Sequence, residues 1–422
     1  MHFDLKYGDT ALALDLDDAD ILDVIHPNEK APLADAEFAV RRVLEKPTGT
    51  PALRAMLLER HPKKLVIVVN DITRPTPYSV LMPPLMKIIA EAGVRDEDIT
   101  LVTATGIHEP HTKEQDLQVY GRELVERYKV VSHDATDAAN LVHKGKLPSG
   151  YDFWLNRIVD ESDFLITIGV VMPHYFAGFS GGRKSILPGV CGKETVKKNH
   201  ARMVEIMDEL PPIRENPISL EMIQAARMVG VDFILNVVTD DEGMLVDVVA
   251  GDLEAAWYQA VETSESMYIV PLAKMADIAV SSACGYPRDI NLYQAQKALD
   301  HADKATKPGG TIIMVAECRS GYGEAVFEQF MKAGNTPQGI MRDLKAKFVM
   351  GGHKAYGFAK VAAEKKLILV SSLSEAETAT LFARKAATLA QAVAMARADQ
   401  GEGAKFLVLP EGSLTVPSLQ AK

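Results

Sequence analysis

Apolar residues in this chain fall in short runs, each closed by a polar loop bearing glycine or proline and then by a helical period. Lys64-Leu-Val-Ile-Val-Val69 is rich in β-branched residues and predicts a buried strand. It ends in Asn70-Asp-Ile-Thr-Arg-Pro-Thr-Pro77, after which the pattern predicts a helix over about 78–92. The unit repeats as Ile99-Thr-Leu-Val-Thr103, a loop Ala104-Thr-Gly-Ile-His-Glu-Pro-His111, and a helix to about Tyr128. Lys129-Val-Val-Ser132 is a strand leading to His133-Asp134. Phe164-Leu-Ile-Thr-Ile-Gly169 is another, and it opens into the glycine-rich stretch 173–189 before a helical pattern over about 193–207. Ahead of these, residues 2–17 alternate as a strand pair turning at Gly8-Asp9, with helical patterns at about 33–45 and 51–60. Behind them come a helix near 217–229, the strand Phe233-Ile-Leu-Asn-Val-Val238, a turn at 240–243, and a strand and helix to about Met267.

Val270-Pro271 reads as a hinge into a second pattern of the same kind. It contains strands Asp277-Ile-Ala-Val280, Thr311-Ile-Ile-Met-Val315 and Lys366-Leu-Ile-Leu-Val370, and an Ala-rich helix near 384–398. The expected fold class is therefore α/β: two α/β domains, 1–270 and 271–404, with the active site in a cleft between them. Phe406-Leu-Val-Leu409, with the rest of 405–422, is assigned to a return into the first domain. Loops after parallel strands lie at the carboxyl edge of a sheet, so loops 70–77, 104–111 and 171–189 are expected to meet at one crevice.

Composition narrows the class. The chain has 422 residues, 47% of them apolar, and a net charge of -11, which argues against a nucleic-acid partner. No apolar run approaches the ~20 residues of a membrane span. Met1-His-Phe-Asp-Leu-Lys6 lacks the features of a signal peptide, and Cys191, Cys284 and Cys318 form no CxxC pair. A cytoplasmic protein without disulfides or a zinc knuckle is expected.

The loops carry the candidate chemistry. Asp71 and Arg74 place a carboxylate and a guanidinium at a strand end, suited either to clamping an anion or to ordering a turn. His108 sits between Gly106 and Pro110, off any helix face, and His174 follows Pro173 directly after a strand. Both have the residue type for proton transfer near neutral pH. Pro110 spoils the helical spacing that a metal pair of His108 and His111 needs. Gly178, Gly181, Gly182 and Gly189 permit tight turns and close backbone approach to a ligand around Arg183 and Lys184. The stretch fails the P-loop pattern, because Arg183 stands where a glycine is required. Lys184 is then a phosphate contact, a covalent attachment point or a surface residue. His200 could ligate a metal through imidazole or lie exposed on its helix. Tyr293, Gln294 and Lys297 share a helical stripe, and Gln294 with Lys297 makes a carboxylate receptor if it faces a cleft. Phe358 lies in a glycine-containing segment, with core packing the default. His133-Asp134, the Glu317 loop and His353 are left as supporting groups without an assigned role.

Taken together, these motifs resemble the nickel-dependent lactate racemase family, whose members use a nickel-pincer nucleotide. The resemblance spans nearly the whole chain. It rests on Asp71-x-x-Arg74-Pro-Thr-Pro77, Thr105-Gly106-x-His108-x-Pro110, Pro173-His174-x-x-Ala-Gly-x-Ser-Gly181-Gly182-x-Lys184, Asn199-His200 and Tyr293-Gln294-x-x-Lys297. It implies racemisation or epimerisation of a 2-hydroxy carboxylate, nominally lactate, by an isomerase that accessory enzymes supply with its cofactor. It also implies that Lys184 attaches the cofactor through a thioamide, that His200 is the protein ligand to nickel, and that His108 and His174 are the acid/base pair. Cofactor contacts would come from Asp71, Arg74, Thr105, Gly106, Gly181, Gly182, Tyr293 and Phe358, and substrate contacts from Arg74, Gln294 and Lys297. Phe358 stands where the lactate enzymes carry tryptophan, which leaves malate, a longer 2-hydroxy acid or a sugar acid such as gluconate as alternative substrates. A nucleotide-binding kinase or transferase using the glycine loop, and a non-catalytic two-lobed solute-binding module, are the competing readings from other classes.

Overall fold

The β-branched runs form the inner strands of a parallel sheet in the computed structural model, which describes residues 1–419. The unit Lys30–Glu265 contains β1 (Leu65–Asn70), β2 (Ile99–Ala104), β3 (Lys129–Ser132), β4 (Phe164–Val170), β5 (Phe233–Thr239) and β6 (Leu245–Gly251). Their order is β6-β5-β4-β1-β2-β3, parallel throughout except for the β5/β6 pair. Every residue of β4 and the first five of β1 are buried, as a sheet covered on both faces requires.

Register decides where the loops go. Leu65 pairs with Phe164, Asn70 with Ala104 and Thr103 with Ser132, so β1 to β4 finish at one edge. The chain steps from β1 to β2 to β3 in one direction and then adds β4 on the other side of β1. That reversal makes the crevice between the carboxyl ends of β1 and β4 the place where ligands of such sheets bind. Asn70 spans it, its Oδ1 accepting from Thr76 Oγ1 at 3.0 Å and from the Val170 amide at 3.4 Å.

Three helices frame this edge: α1 (Tyr78–Glu91), α2 (Lys113–Tyr120) and α3 (Lys193–Ala201). Thr112 and Gln115 form a reciprocal capping box that starts α2. Gly121, at φ 82°, ends it, so the single helix expected to run to Tyr128 is two, the second being Arg122–Arg127. A hairpin of Leu141–Lys146 with Asp152–Asn156 also lies here, unforeseen in the sequence because the first strand buries none of its residues fully and the second only some.

The second unit joins Met1–Glu29 to the chain from Ser266 onward. Its sheet contains β7 (Ala276–Ser282), β8 (Thr306–Val315), β9 (Lys366–Val370), β10 (Ala383–Ala386) and β11 (Phe406–Leu409). The order is β10-β9-β8-β7-β11, completed by the N-terminal strand Ile21–Val24, and all pairs are parallel. Helices α4 (Leu292–Ala305) and α5 (Gly352–Glu364) belong to it. The expected hairpin is present, His2–Tyr7 pairing with Thr10–Asp15, and its Leu5 and Leu14 share a core with Ile278, Ile313 and Phe406.

Two boundaries differ from the sequence expectation. Residues 1–29 were expected in the first domain, and 405–422 were expected to return to it. Instead Phe406 pairs with both Ile278 and Ile21, inside the second sheet. Alternation marks a strand as buried but carries no record of which sheet satisfies its backbone groups. The hinge expected at 270–271 falls within a few residues of the observed change of unit at Ser266. The three cysteines are free and buried, and no helix among the described residues is long and apolar enough to cross a membrane.

Candidate active site

The loop after β1 folds on its own aspartate. Asp71 Oδ1 accepts from the Thr73 hydroxyl at 2.6 Å and the Thr73 amide at 3.3 Å, while Oδ2 lies 2.7 Å from His108 Nδ1 on the neighbouring loop. Burial works against the charge of Asp71, but the bonds from His108 and Thr73 and the nearby charge of Arg74 outweigh it, and its carboxyl is held below the usual range. A carboxylate only accepts, so His108 must donate from Nδ1. In the neutral ring Nε2 then carries the lone pair, and the side chain is 54% exposed. This is the geometry of an oriented general base. Thr105 is buried and donates to the His133 carbonyl at 2.6 Å, and the Gly106 amide donates to the Gly189 carbonyl at 2.9 Å. The last contact ties the His108 loop to the glycine loop.

Sequence reading missed what organises that glycine loop. Arg183 is fully buried and donates to the carbonyls of Ala177 at 2.6 Å and Phe179 at 2.7 Å, and to Ser219 Oγ at 3.0 Å. Its guanidinium lies 3.8 Å from the centre of the Trp257 ring, and the Trp257 indole donates to the Ser180 carbonyl. Burial pushes the Arg183 pKa down to about 9, still charged at neutral pH. Gly181 and Gly182 have φ of 72° and 50°; a Cβ at the first would sit 2.6 Å from Val171, at the second 2.8 Å from Trp257. Their freedom serves turn geometry and close packing against the protein. Because one lysine ammonium cannot reproduce this planar fork, both Arg183→Leu and Arg183→Lys are expected to destabilise the Lys30–Glu265 unit, the former by about 3 kcal/mol or more in urea unfolding.

Phe176 is the hub of the loop. The His174 ring stands edge-on to it at 4.6 Å between centroids, His200 of α3 does so at 4.8 Å, and Lys184 Nζ lies 5.3 Å from its centre. The sequence motifs for His174, Lys184 and His200 are thus brought together around one aromatic ring. The Ala177 amide donates to His174 Nδ1 at 3.4 Å, which leaves the Nε2 of a neutral His174 protonated, the complement of His108. His200 is buried, and burial together with the charge of Lys184 outweighs the pull of the Val196 backbone carbonyl and lowers the His200 pKa to about 3. A neutral imidazole beside a lysine amine fits a soft metal carried by a lysine-bound group. Among the described residues no group of three or more His, Cys, Asp or Glu is placed to hold a metal ion, so a metal at His200 needs donors from outside the polypeptide. The folded pKa lies below the ordinary 6.5, so the neutral ring persists as pH falls through that value and is lost only near pH 3. His200 ring resonances are therefore expected to stay flat between pH 5 and 8; an inflection near 6.5 would contradict this assignment.

The remaining predicted residues sit in the second unit. Gln294 and Lys297 are exposed on one stripe of α4, and Tyr293 is half-buried beside them. The Tyr293 hydroxyl is 3.3 Å from His353 Nε2. Phe358 of α5 is only 2% exposed and stacks on Phe327 at 5.7 Å, which in turn meets Tyr293 edge-on at 6.4 Å. This ring is packed in the core, with Phe327 lying between it and Tyr293. His133 is structural: it is fully buried, with Nε2 2.9 Å from the Cys191 carbonyl and Nδ1 3.1 Å from Asn156 Nδ2.

Comparison with known proteins places the chain in a family. Residues 7–209 match the family model of the lactate racemase N-terminal domain, and residues 272–416 that of the lactate racemase C-terminal domain. The chain is 35% identical over 383 residues to a lactate racemase of Lactiplantibacillus plantarum, a match covering 88% of this chain and 89% of that protein. It is 32% identical over 421 residues to a lactate racemase of Thermoanaerobacterium thermosaccharolyticum, covering 97% of this chain and 98% of the relative. The lactate racemase apoprotein structure from T. thermosaccharolyticum superposes with a TM-score of 0.92 at 32% identity, over 99% of this chain and 100% of that one. A crystal structure from Thermotoga maritima, 18% identical, shares the fold at a TM-score of 0.67 over 93% of this chain and 100% of its own.

Proposed function

The chain belongs to the lactate racemase family and is an isomerase, and on that premise we propose that it inverts the α-carbon of a 2-hydroxy carboxylate, with lactate as the first substrate to test. The observation that carries the reading is the gathering of His174, Lys184 and His200 around Phe176, on a loop bonded to the one that bears the Asp71-oriented His108. Lys184 is the proposed covalent anchor of a nickel-pincer nucleotide, and His200 the imidazole offered to its nickel. Held there, such a group would supply a hydride acceptor for the α-hydrogen of the substrate.

The protein's part is proton transfer and orientation. The α-hydrogen of a 2-hydroxy carboxylate is too weakly acidic for a histidine to remove, but its hydroxyl proton is within reach of one once the hydrogen leaves with its electrons. His108 Nε2 holds a lone pair and His174 Nε2 a proton, so one ring takes the hydroxyl proton of one enantiomer while the other protonates the oxygen of its mirror image. Arg74 is the proposed clamp for the substrate carboxylate, a role its planar fork suits. In the second unit, Gln294 and Lys297 have the exposure that further carboxylate donors need. The 2-keto acid formed between the two transfers must be held until it has turned over, which asks the site to exclude water.

The reading is tested by producing the protein with the accessory cofactor enzymes and following L- and D-lactate, malate and gluconate by chiral chromatography. Either lactate enantiomer should approach an equal mixture. Protein made without those enzymes should be inactive. If nickel and an added mass are present and no 2-hydroxy acid is interconverted, the proposed activity is wrong.

A further inference from the structure

His111 has no part in the chemistry above, yet it is held more tightly than His108. Its side chain is 2% exposed, Nε2 accepts from the Ile72 amide at 2.9 Å, and Nδ1 lies 3.0 Å from Asp116 Oδ1 on α2. A backbone amide can only donate, so Nε2 must be unprotonated. A neutral ring then has its proton on Nδ1, donated to Asp116. The His111 ring also stacks on Tyr120 at 6.1 Å between centroids, and the Tyr120 hydroxyl donates to the Asn70 carbonyl at 2.8 Å. The Ser132 hydroxyl accepts from the His111 amide at 3.1 Å. The backbone on both sides of Asp71, at Asn70 and Ile72, is thus pinned from α2 and its approach, one bond through Tyr120 and one through His111.

We propose that His111, fixed as its Nδ1–H tautomer by Asp116, is a positioning residue: it holds the Ile72 amide and so aims the Asp71 carboxylate at His108. A ring protonated on both nitrogens, or flipped to the other tautomer, would set an N–H against the Ile72 N–H and release the loop. The proposal deepens the reading of His108 as the oriented base and rests on it, but its structural half is measurable without turnover.

His111→Gln keeps an acceptor for Ile72, whereas His111→Leu and Asp116→Ala remove either the acceptor or the group that fixes the tautomer. In apoprotein with 15N-labelled histidine, two-bond correlation spectra should show His111 as Nδ1–H. Hydrogen exchange at Ile72 should quicken at least about tenfold in His111→Leu and stay near wild type in His111→Gln. In loaded enzyme, kcat should fall about 10- to 100-fold in His111→Leu, the loss expected for a misplacement near 1 Å, and recover largely in His111→Gln. Melting curves of the three variants identify any that fail to fold, and Asp116→Ala then carries the test. An Nε2–H signal for His111, or unchanged Ile72 exchange in folded His111→Leu, would overturn the proposal. Inactive wild-type enzyme with the tautomer and exchange as expected would instead count against the proposed reaction and leave this assignment standing.

Discussion

Lys184→Ala is expected to purify as a folded chain with no added mass, no retained nickel and no interconversion of lactate above background. Lys184 is half-buried, on a short turn that Arg183 and Trp257 hold in place without it, so the loop keeps its shape when the amine is removed. Lys184→Arg separates the roles left open by the sequence. A phosphate contact survives the exchange, since a guanidinium binds phosphate at least as well as an ammonium. A covalent anchor does not, because the attachment chemistry needs the amine. Intact-mass spectrometry and metal analysis of both variants decide between them, and normal turnover in either would end the anchor assignment.

The second large effect is at the two imidazoles. His108→Ala and His174→Ala should each lower kcat by about 10²- to 10⁴-fold, the usual scale of acid–base assistance, while nickel stays bound. The equilibrium constant of a racemisation is one, so kcat/KM must fall by the same factor from either enantiomer, although each histidine meets the two hydroxyls differently. His200→Ala should do the reverse, losing nickel with the lysine adduct still in place. Loss of nickel from His108→Ala or His174→Ala would move that residue into the metal shell. His108→Ala also strips the buried Asp71 of its ring partner. Asp71→Asn is the useful companion, since an amide can turn an N–H toward His108 and reverse its tautomer.

How far the sequence revealed all this depended on the kind of signal. Central strands such as Leu65–Asn70 and Phe164–Val170 were legible because burial on both faces demands unbroken apolar runs. The meeting of loops 70–77, 104–111 and 171–189 followed from strand direction alone, and the registers place them at one edge. Sheet membership was not legible: Ile21–Val24 and Phe406–Leu409 complete the second sheet by backbone bonds that leave no mark on side-chain pattern. Within the site, His108, His174, Lys184 and His200 stood out as polar residues in loops or at helix ends. Arg183 was read only as a break in a phosphate-loop pattern, and the neighbouring Lys184 and Ser185 gave no sign that it is buried. Phe176 looked like one aromatic among several, and His111 like half of a failed metal pair. Their roles come from who meets whom in space, between neighbours on one loop as well as between distant elements such as Arg183 and Trp257 or His111 and Ile72, which spacing along a single sequence does not encode.

The central claim is that the α-hydrogen travels with its electrons and is never shared with solvent, while only the hydroxyl proton passes through His108 and His174. Racemisation of L-lactate in D2O by the loaded enzyme, with the D-lactate product read by mass spectrometry and proton NMR, tests it most directly. The account predicts D-lactate that keeps its protium at the α-carbon. One deuterium incorporated there for each inversion would show a carbanion exchanging with solvent and contradict it.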